Sequence, residues 1–167
     1  MILQTPRLIL QHIRQSDIPL LQERIFSNAT VMQYAFSGDI FSLPETEDFI
    51  KKYAAKAEEQ VGIGALYIRE TGLLVGFAGL LHYSVVNESY ELGFVLAPSY
   101  WGRGYATEIG HGQIALAQAL GKREIFALVS PDNHASRAVL DKLDMQYHRD
   151  IMLLSRGKRE CYRKEIQ

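Results

Sequence analysis

The sequence predicts one domain of mixed α and β structure, and three features support that prediction. The chain opens with a strand-like run followed by a helical one. Its middle contains three successive strand-like runs, which is typical of an antiparallel meander. Its second half contains a strand, a helix and a strand in succession, an arrangement that usually joins a parallel pair of strands. We therefore expect one central sheet, mostly antiparallel with a parallel step, flanked by about four helices.

The first strand and the first two helices follow from local patterns. Arg7–Arg14 alternates in part between apolar and polar residues, and Ser16 and Asp17 supply capping side chains before the helical segment IPLLQERIF. Asn28–Leu43 shows no period. Ser42-Leu43-Pro44-Glu45 has the pattern of a capping box, and the second helix is expected from about Pro44 to Glu59.

The meander comprises three predicted strands, Ala65–Glu70, Leu74–Tyr83 and Tyr90–Leu96. Residues typical of turns separate them, at Thr71-Gly72 and at Asn87-Glu88-Ser89.

The remaining elements complete the crossover and end the chain in a hairpin. The crossover helix is predicted over Ala106–Leu120, since Gly121 is a typical helix terminator, and the apolar run Glu124–Val129 is typical of a buried strand. The last elements are a helix and two strands around the turn Arg156–Lys158: His134–Leu143, Met145–Leu154 and Glu160–Ile166.

Composition limits the possible functions. A chain of 167 residues with 47% hydrophobic content can bury its apolar surface in one domain, here residues 1–167. The chain has 18 basic and 19 acidic residues, and because it carries no excess of positive charge we expect no nucleic-acid partner. Cys161 is the single cysteine, and it and the five histidines lack paired ligand spacing, so we expect no metal. With no leader and no run of roughly 20 apolar residues, we expect a soluble, cytoplasmic monomer or homodimer without membrane contact.

The segment Trp101–Ala106 carries the strongest indication of chemistry. Gly102, Gly104 and Ala106 occupy alternate positions where a strand gives way to a helix. Small residues let a bulky anion approach the backbone, and the free N–H groups at a helix start, together with its dipole, bind pyrophosphate. Taken alone, the pattern fits a purely structural strand-to-helix turn equally well.

The longer segment ELGFVLAPSYWGRGYATE resembles the coenzyme-binding motif of the GNAT N-acetyltransferase superfamily. That motif reads Gln or Arg, two residues, Gly, one residue, then Gly or Ala, and Trp101, Gly104 and Ala106 take its three places. Trp101 departs from Gln or Arg but is similar to the RimJ/RimL-like subgroup. TPRLILQHIRQSDIPLL resembles that subgroup's opening, and NHASRAVLDKL resembles its later coenzyme-side helix.

The resemblance implies the GNAT-like acyl-CoA N-acyltransferase fold and a site for acetyl-CoA. In that fold the fourth and fifth strands, here Tyr90–Leu96 and Glu124–Val129, splay apart to admit the coenzyme. Main-chain groups of the first of these strands would pair with the pantetheine, and the following turn would hold the pyrophosphate, with Arg103 adding a cation. The implied coenzyme residues are Phe94, Val95, Leu96, Trp101, Gly102, Arg103, Gly104, Tyr105, Ala106, Thr107, Asn133, Ser136 and Arg137.

Acetyl transfer to an amine needs the amine in its neutral form and a proton donor for the departing thiolate. Glu91 lies on the strand face opposite Tyr90 and Leu92, so it can point into the cleft and act as the base; a solvated carboxylate is the competing interpretation, and water can also serve. Many relatives carry a tyrosine acid where Leu140 stands here, which makes Ser136 the implied partner of the thiolate.

Other assignments on the later helix have structural alternatives. Asn133 can serve simply as the helix N-cap. Arg137, and after it Lys142, can reach the ribose phosphate of the coenzyme or belong to a solvated helix face.

The resemblance assigns the acceptor pocket to the loop Asn28–Leu43 and to the last hairpin around Arg156. Tyr34, Phe36 and Phe41 would wall it, unless this loop packs on its own domain. The expected function is transfer of the acetyl group from acetyl-CoA to a primary amine, either a protein N-terminus or a small molecule. An acetyl-CoA-binding module without transferase activity is the alternative. Dinucleotide and Walker-type motifs are absent from the sequence.

Overall fold

The computed structural model describes residues 1–83 and 89–167 and contains one eight-stranded mixed sheet. The strand order is β1-β2-β3-β4-β5-β6-β8-β7, in which β5 and β6 run parallel and the other neighbours pair antiparallel. This confirms the mixed, mostly antiparallel fold. The strands are β1 Leu3–Gln4, β2 Leu8–Gln11, β3 Gly62–Ile68, β4 Leu74–His82, β5 Tyr90–Leu96, β6 Glu124–Val129, β7 Gln146–Leu153 and β8 Gly157–Glu165.

In residues 1–83 and 89–167, five α-helical segments flank the sheet: α1 Ile18–Leu21, α2 Ala29–Met32, α3 Leu43–Tyr53, α4 Tyr105–Ala119 and α5 His134–Lys142. A 3-10 turn, Gln15–Asp17, precedes α1, and a π-helical stretch, Gln22–Phe26, continues it. Among the residues that the structure describes, no helix is both long and apolar enough to cross a membrane.

Two elements, β1 and α2, were not expected from the sequence. The short β1 had no sequence signal, so the fourth and fifth predicted strands become β5 and β6. A short helix, α2, lies in the segment without a period, where the Asn28 side chain accepts hydrogen bonds from the amides of Thr30 and Val31. Of the expected turn Asn87-Glu88-Ser89, Asn87 and Glu88 lie outside the described residues.

The second helix, α3, begins where its capping box predicts but ends at Tyr53, six residues before the expected Glu59. Ala54 is extended, with φ −64° and ψ 139°, and it forms a parallel bridge with Ile63 of β3. The Ala55 amide donates to the carbonyl of Ile63 (2.9 Å). Pairing with the sheet therefore overrides the helix propensity of the segment after Tyr53.

Among the described residues, the two larger of three apolar clusters cover the two faces of the sheet. Tyr90, Leu92 and Leu96 of β5 pack in the core that includes α4 and α5. Val95 contacts the core on the opposite face, formed with α1, α2 and α3. Glu91 shares the side of Val95, as strand alternation predicts.

Strands β5 and β6 pair over only two positions, Tyr90 with Ile125 and Glu91 with Phe126. Beyond Glu91 they diverge, while β4 remains paired with β5 from Tyr90 to Leu96. The side of β5 that faces β6 is therefore free of strand pairing from Leu92 onward. This is the splayed pair that the sequence resemblance implied.

Candidate active site

A cavity of about 530 Å³ opens where β5 and β6 separate. Its walls include Phe94, Val95 and Leu96 of β5, together with the first residues of α4 and one face of α5. The loop around α2 closes it on the far side through Tyr34 and Phe36. One continuous cavity thus joins most of the implied coenzyme residues to part of the implied acceptor wall.

The start of α4 forms a cradle of backbone groups. Gly104 is the N-cap residue in a left-handed conformation (φ 81°), and as glycine it has no side chain to cap the helix. The first N–H groups of a helix have no partner within the helix, and here they belong to Tyr105, Ala106 and Thr107, which line the cavity. Gly102 also has a positive φ (70°), and a Cβ there would meet no atom within 4 Å. These features fit an anionic group such as pyrophosphate.

A carboxylate in the first turn of α4, that of Glu108, would by itself oppose an anion at this cradle. Arg7 neutralises it: Arg7 Nε lies 2.6 Å from Glu108 Oε2, and the Arg7 amide donates to Oε1 (2.7 Å). Arg7 Nη1 also donates to the carbonyl of Arg103 (2.9 Å), and the guanidinium lies over the Tyr105 ring, 4.6 Å from its centroid. Arg7 therefore holds the 101–106 turn in place from the far end of the chain.

Trp101 fixes the other end of the same turn. Its indole Nε1 donates to the carbonyl of Leu96 (2.7 Å), and half of the residue remains exposed (49%). One of the three β5 residues assigned to the pantetheine thus already has its carbonyl hydrogen-bonded. The position that is usually Gln or Arg in the motif is here occupied by a side chain that braces the strand end.

Comparison with known proteins gives the family. The sequence profile described as acetyltransferase (GNAT) domain matches residues 7–146. The chain belongs to the GNAT acetyltransferase family. As a member, it is an acetyl-transferring enzyme. It is also 31% identical over 147 residues to an uncharacterized N-acetyltransferase, YoaA, of Bacillus subtilis, covering 87% of this chain and 82% of that protein.

Two solved structures of GNAT-type enzymes share the fold. One is the spermidine N-acetyltransferase of Vibrio cholerae in complex with CoA and spermine, with a TM-score of 0.75, 16% identity and 95% of each chain covered. The other is RimL, a ribosomal L7/L12 α-N-protein acetyltransferase in complex with coenzyme A, with a TM-score of 0.74, 17% identity, and 97% of this chain and 96% of that chain covered. Both of those proteins were solved in complex with CoA.

Glu91 lies inside the GNAT cavity, only 8% exposed, and Arg156 Nη1 donates to its Oε1 (3.1 Å). Burial raises the pKa of Glu91 above its ordinary value, although the positive charges of Arg156 and Arg159 oppose that rise. This burial excludes the competing interpretation, in which Glu91 is a solvated carboxylate on an exposed strand face. A buried carboxylate with a raised pKa has the properties of a general base.

The sequence named Arg156 only as the centre of the hairpin assigned to the acceptor pocket, and it did not point to Arg159. Arg156 lines the cavity, and Arg159, which is 7% exposed, donates through Nη2 to the carbonyl of Phe36 (2.6 Å). Only the family's use of this hairpin pointed to the region. The partners Glu91 and Arg156 are 65 residues apart, so no local pattern could pair them.

On α5, the structure separates residues that the sequence grouped. Asn133 is the N-cap, since its Oδ1 accepts from the amide of Ser136 (3.1 Å), and both residues line the cavity. Lys142 lines the cavity too. Arg137 is absent from the described lining; its Nε lies 3.5 Å from Glu160 Oε2. Leu140, at the tyrosine position of many relatives, is buried in the wall.

The other predicted site residues also divide into those that line the cavity and those that do not. Tyr34 and Phe36 face the cavity, and Phe49, which sequence reasoning did not single out, joins them. Phe41 instead stacks on Phe26 with ring centroids 5.5 Å apart, so packing within the domain describes it. Arg103, outside the described lining, places its guanidinium 5.6 Å from the ring centroid of Tyr100.

Proposed function

We propose that the chain transfers the acetyl group of acetyl-CoA to a primary amine by direct attack within a ternary complex. The observation that carries this proposal is the divergence of β5 and β6 after Glu91, which leaves a strand edge and a helix start facing one cavity. The backbone amides of residues 102–107 would hold the pyrophosphate, and the β5 edge at Phe94 and Val95 would pair with the pantetheine amides.

In the proposed reaction, the amine nitrogen forms a bond to the acetyl carbon and the bond from that carbon to sulfur breaks. Glu91 removes the proton that the ammonium form of the acceptor carries. Among the described residues, Glu91 is the carboxylate that lines the cavity. Ser136 lies on the cavity wall and would donate a hydrogen bond to the departing thiolate, which takes up the second proton that the attacking nitrogen loses as the amide forms. Holding both substrates in one cavity supplies a large part of the rate.

The acceptor is proposed to be a protein N-terminus or a small-molecule amine, in keeping with a RimJ/RimL-like subgroup. The similarity of fold to RimL supports the first kind of acceptor, and the similarity to a spermidine acetyltransferase supports the second. Tyr34, Phe36 and Phe49 would pack against the carbon skeleton of the acceptor. Fold alone does not select between them.

The test is release of free thiol from acetyl-CoA in the presence of a broad panel of primary amines, with the acetylated product identified by mass. Coenzyme binding is measured separately by calorimetry. The proposal expects amine-dependent thiol release that falls in Glu91→Gln and in Ser136→Ala. Tight coenzyme binding without amine-dependent release across the panel would instead favour a non-catalytic acetyl-CoA-binding module.

A further inference from the structure

The charges at the acceptor end of the cavity do not balance. Among residues 1–83 and 89–167, Glu91 is the one carboxylate that lines the cavity, and Arg156 beside it lines it as well. Arg159 lies close enough for its charge to act on both. Two guanidinium groups thus surround one carboxylate, which leaves this part of the cavity with an excess positive charge.

The partners of the two arginines do not supply the missing negative charge. The bonds of Arg159 go to the backbone carbonyls of Phe36 and Lys158, which are neutral acceptors. Arg156 binds Glu91 through Nη1, but its Nε is buried and has no hydrogen-bond partner within the described part of the chain. Buried charged groups are normally paired, and an unpaired donor is costly. Burial and the neighbouring Arg156 both lower the pKa of Arg159, as expected for crowded cations.

Building on the proposed function, we propose that the acceptor amine also carries an anionic group, a carboxylate or a phosphate, which binds Arg156. Such an acceptor presents its ammonium to Glu91 and its anion to the guanidinium. Binding of this acceptor replaces the ion pair between Glu91 and Arg156 with two ion pairs to the substrate. The anion can also bind the unpartnered Nε of Arg156, because a guanidinium can bind an oxyanion through two N–H groups.

This arrangement also couples acceptor binding to the base. When the acceptor's anion takes over the guanidinium, Glu91 loses the positive partner that favours its ionised form. Its affinity for the acceptor's proton then rises at the moment the amine is in place. A polyamine has no group for Arg156 and adds positive charge to a region already in excess.

The experiment compares matched acceptors on the unaltered protein, so it does not depend on a variant that folds. The panel contains ω-amino acids of increasing length, the carboxamide of each, aminoalkyl phosphates of the same lengths, and spermidine. We expect kcat/KM for the best acid or phosphate to exceed that of its uncharged counterpart by about tenfold or more, the usual effect of a hydrogen bond to a charged group. The acid and phosphate series identify which anion is preferred.

Substitutions in the last hairpin test whether Arg156 is the residue that causes the preference for anionic acceptors. Arg156→Gln should bring the preference for the anionic acceptor close to one, and Arg156→Lys should retain part of it. Lys158→Gln removes an exposed cation from the same hairpin, where it pairs with Asp150, and should leave the preference unchanged. Carboxamides or spermidine acetylated as well as the acids would overturn this inference while sustaining the proposed function. Absence of thiol release with every amine, despite coenzyme binding, would overturn both.

Discussion

Arg7 and Glu108 form an ion pair of 2.6 Å that joins the first strand region to the first turn of α4. Thr5 reinforces it, since its hydroxyl donates to Glu108 Oε1 (2.6 Å). The pair neutralises a carboxylate in the first turn of α4, the helix whose first amides are proposed to bind the coenzyme phosphates. The opening segment of the chain is therefore part of the proposed coenzyme site, although it does not line the main cavity in the described residues.

Removing this cation should weaken coenzyme binding more than it weakens the fold. In Arg7→Ala, the Arg103 carbonyl loses its donor and Glu108 loses its neutralising partner, so we expect the Kd for CoA to rise about tenfold. The Arg7 side chain is 48% exposed, so the ion pair itself contributes less than about 1 kcal/mol to the free energy of unfolding. Calorimetry with CoA and urea unfolding measure the two effects.

Arg69→Ala is the matched control for that variant. Arg69 Nη1 donates to the carbonyls of Thr5 and Pro6, and so supports the same segment; within the described part of the chain it forms no hydrogen bond with the 101–106 turn. Equal loss of CoA affinity in both variants would mean that Arg7 acts only by holding the segment. Unchanged affinity in Arg7→Ala would remove it from the coenzyme site.

Glu108 should contribute to the acid sensitivity of folding. Burial raises its pKa, but hydrogen bonds from Thr5 and from the backbone and side chain of Arg7 outweigh burial and leave the pKa below its ordinary 4.5. The unfolded chain thus binds the proton more readily. The contribution of Glu108 is present above about pH 4.5 and is lost as the pH falls through the lower folded-state value.

The measurement is urea unfolding of the wild type and Glu108→Gln between pH 3 and pH 6. The wild type should lose more stability than the variant as the pH falls across this range. Parallel curves would show that Glu108 has the same pKa in both states.

Gly79 and Gly93 face each other across β4 and β5, yet they should respond differently to alanine. A Cβ on Gly79 would lie 2.2 Å from the carbonyl oxygen of Gly62, whereas a Cβ on Gly93 would meet nothing within 4 Å. Gly79→Ala should therefore lower the free energy of unfolding by about 3 kcal/mol or more, because the obstacle is backbone. Gly93→Ala should leave it nearly unchanged.

Gly93 lines the cavity on the strand face shared by Glu91 and Val95, so a side chain there would occupy space beside the proposed base. We expect Gly93→Val to raise the KM for the acceptor or to lower kcat, with the thermal midpoint close to that of the wild type. Full activity in Gly93→Val would mean that the acceptor does not pass this position. Thermal unfolding and steady-state kinetics provide both readings.

Sequence patterns predicted the elements that local chemistry determines. The bounds of β5 and β6 agree with the prediction at both ends, and α3 starts at its capping box. The same reasoning placed the end of α3 too late, because the bridge between Ala54 and Ile63 depends on a strand that comes later in the chain. Local sequence therefore predicts where the helix begins, but it does not predict where pairing with a distant strand ends it.

The site was predictable to the extent that it depends on backbone. The 101–106 turn is proposed to act through its amides, and its glycines are visible in the sequence. The pairs Arg7–Glu108 and Glu91–Arg156 join residues 101 and 65 positions apart, and each consists of ordinary charged side chains. Phe36 and Phe41 are indistinguishable by type, yet one lines the cavity and the other stacks on Phe26.

The role proposed for Glu91 predicts a specific pH dependence of acetyl transfer. Burial raises the pKa of Glu91 above its ordinary 4.5, against the opposing effect of Arg156 and Arg159. A base must be ionised to accept a proton, so kcat/KM should fall as the pH drops through this raised value.

Glu91→Gln should lower kcat/KM by about 100-fold or more, the usual range for loss of a general base, and should abolish that acid limb. The profile is measured with an acceptor whose own ionisation is known, so that its pKa can be separated from that of the enzyme. CoA affinity, measured in parallel, should stay near the wild-type value because the variant preserves the shape of the side chain. An acid limb that persists in Glu91→Gln would assign the ionisation to the acceptor or to another group. Glu91 would then serve only as the buried ion-pair partner of Arg156 and not as the base.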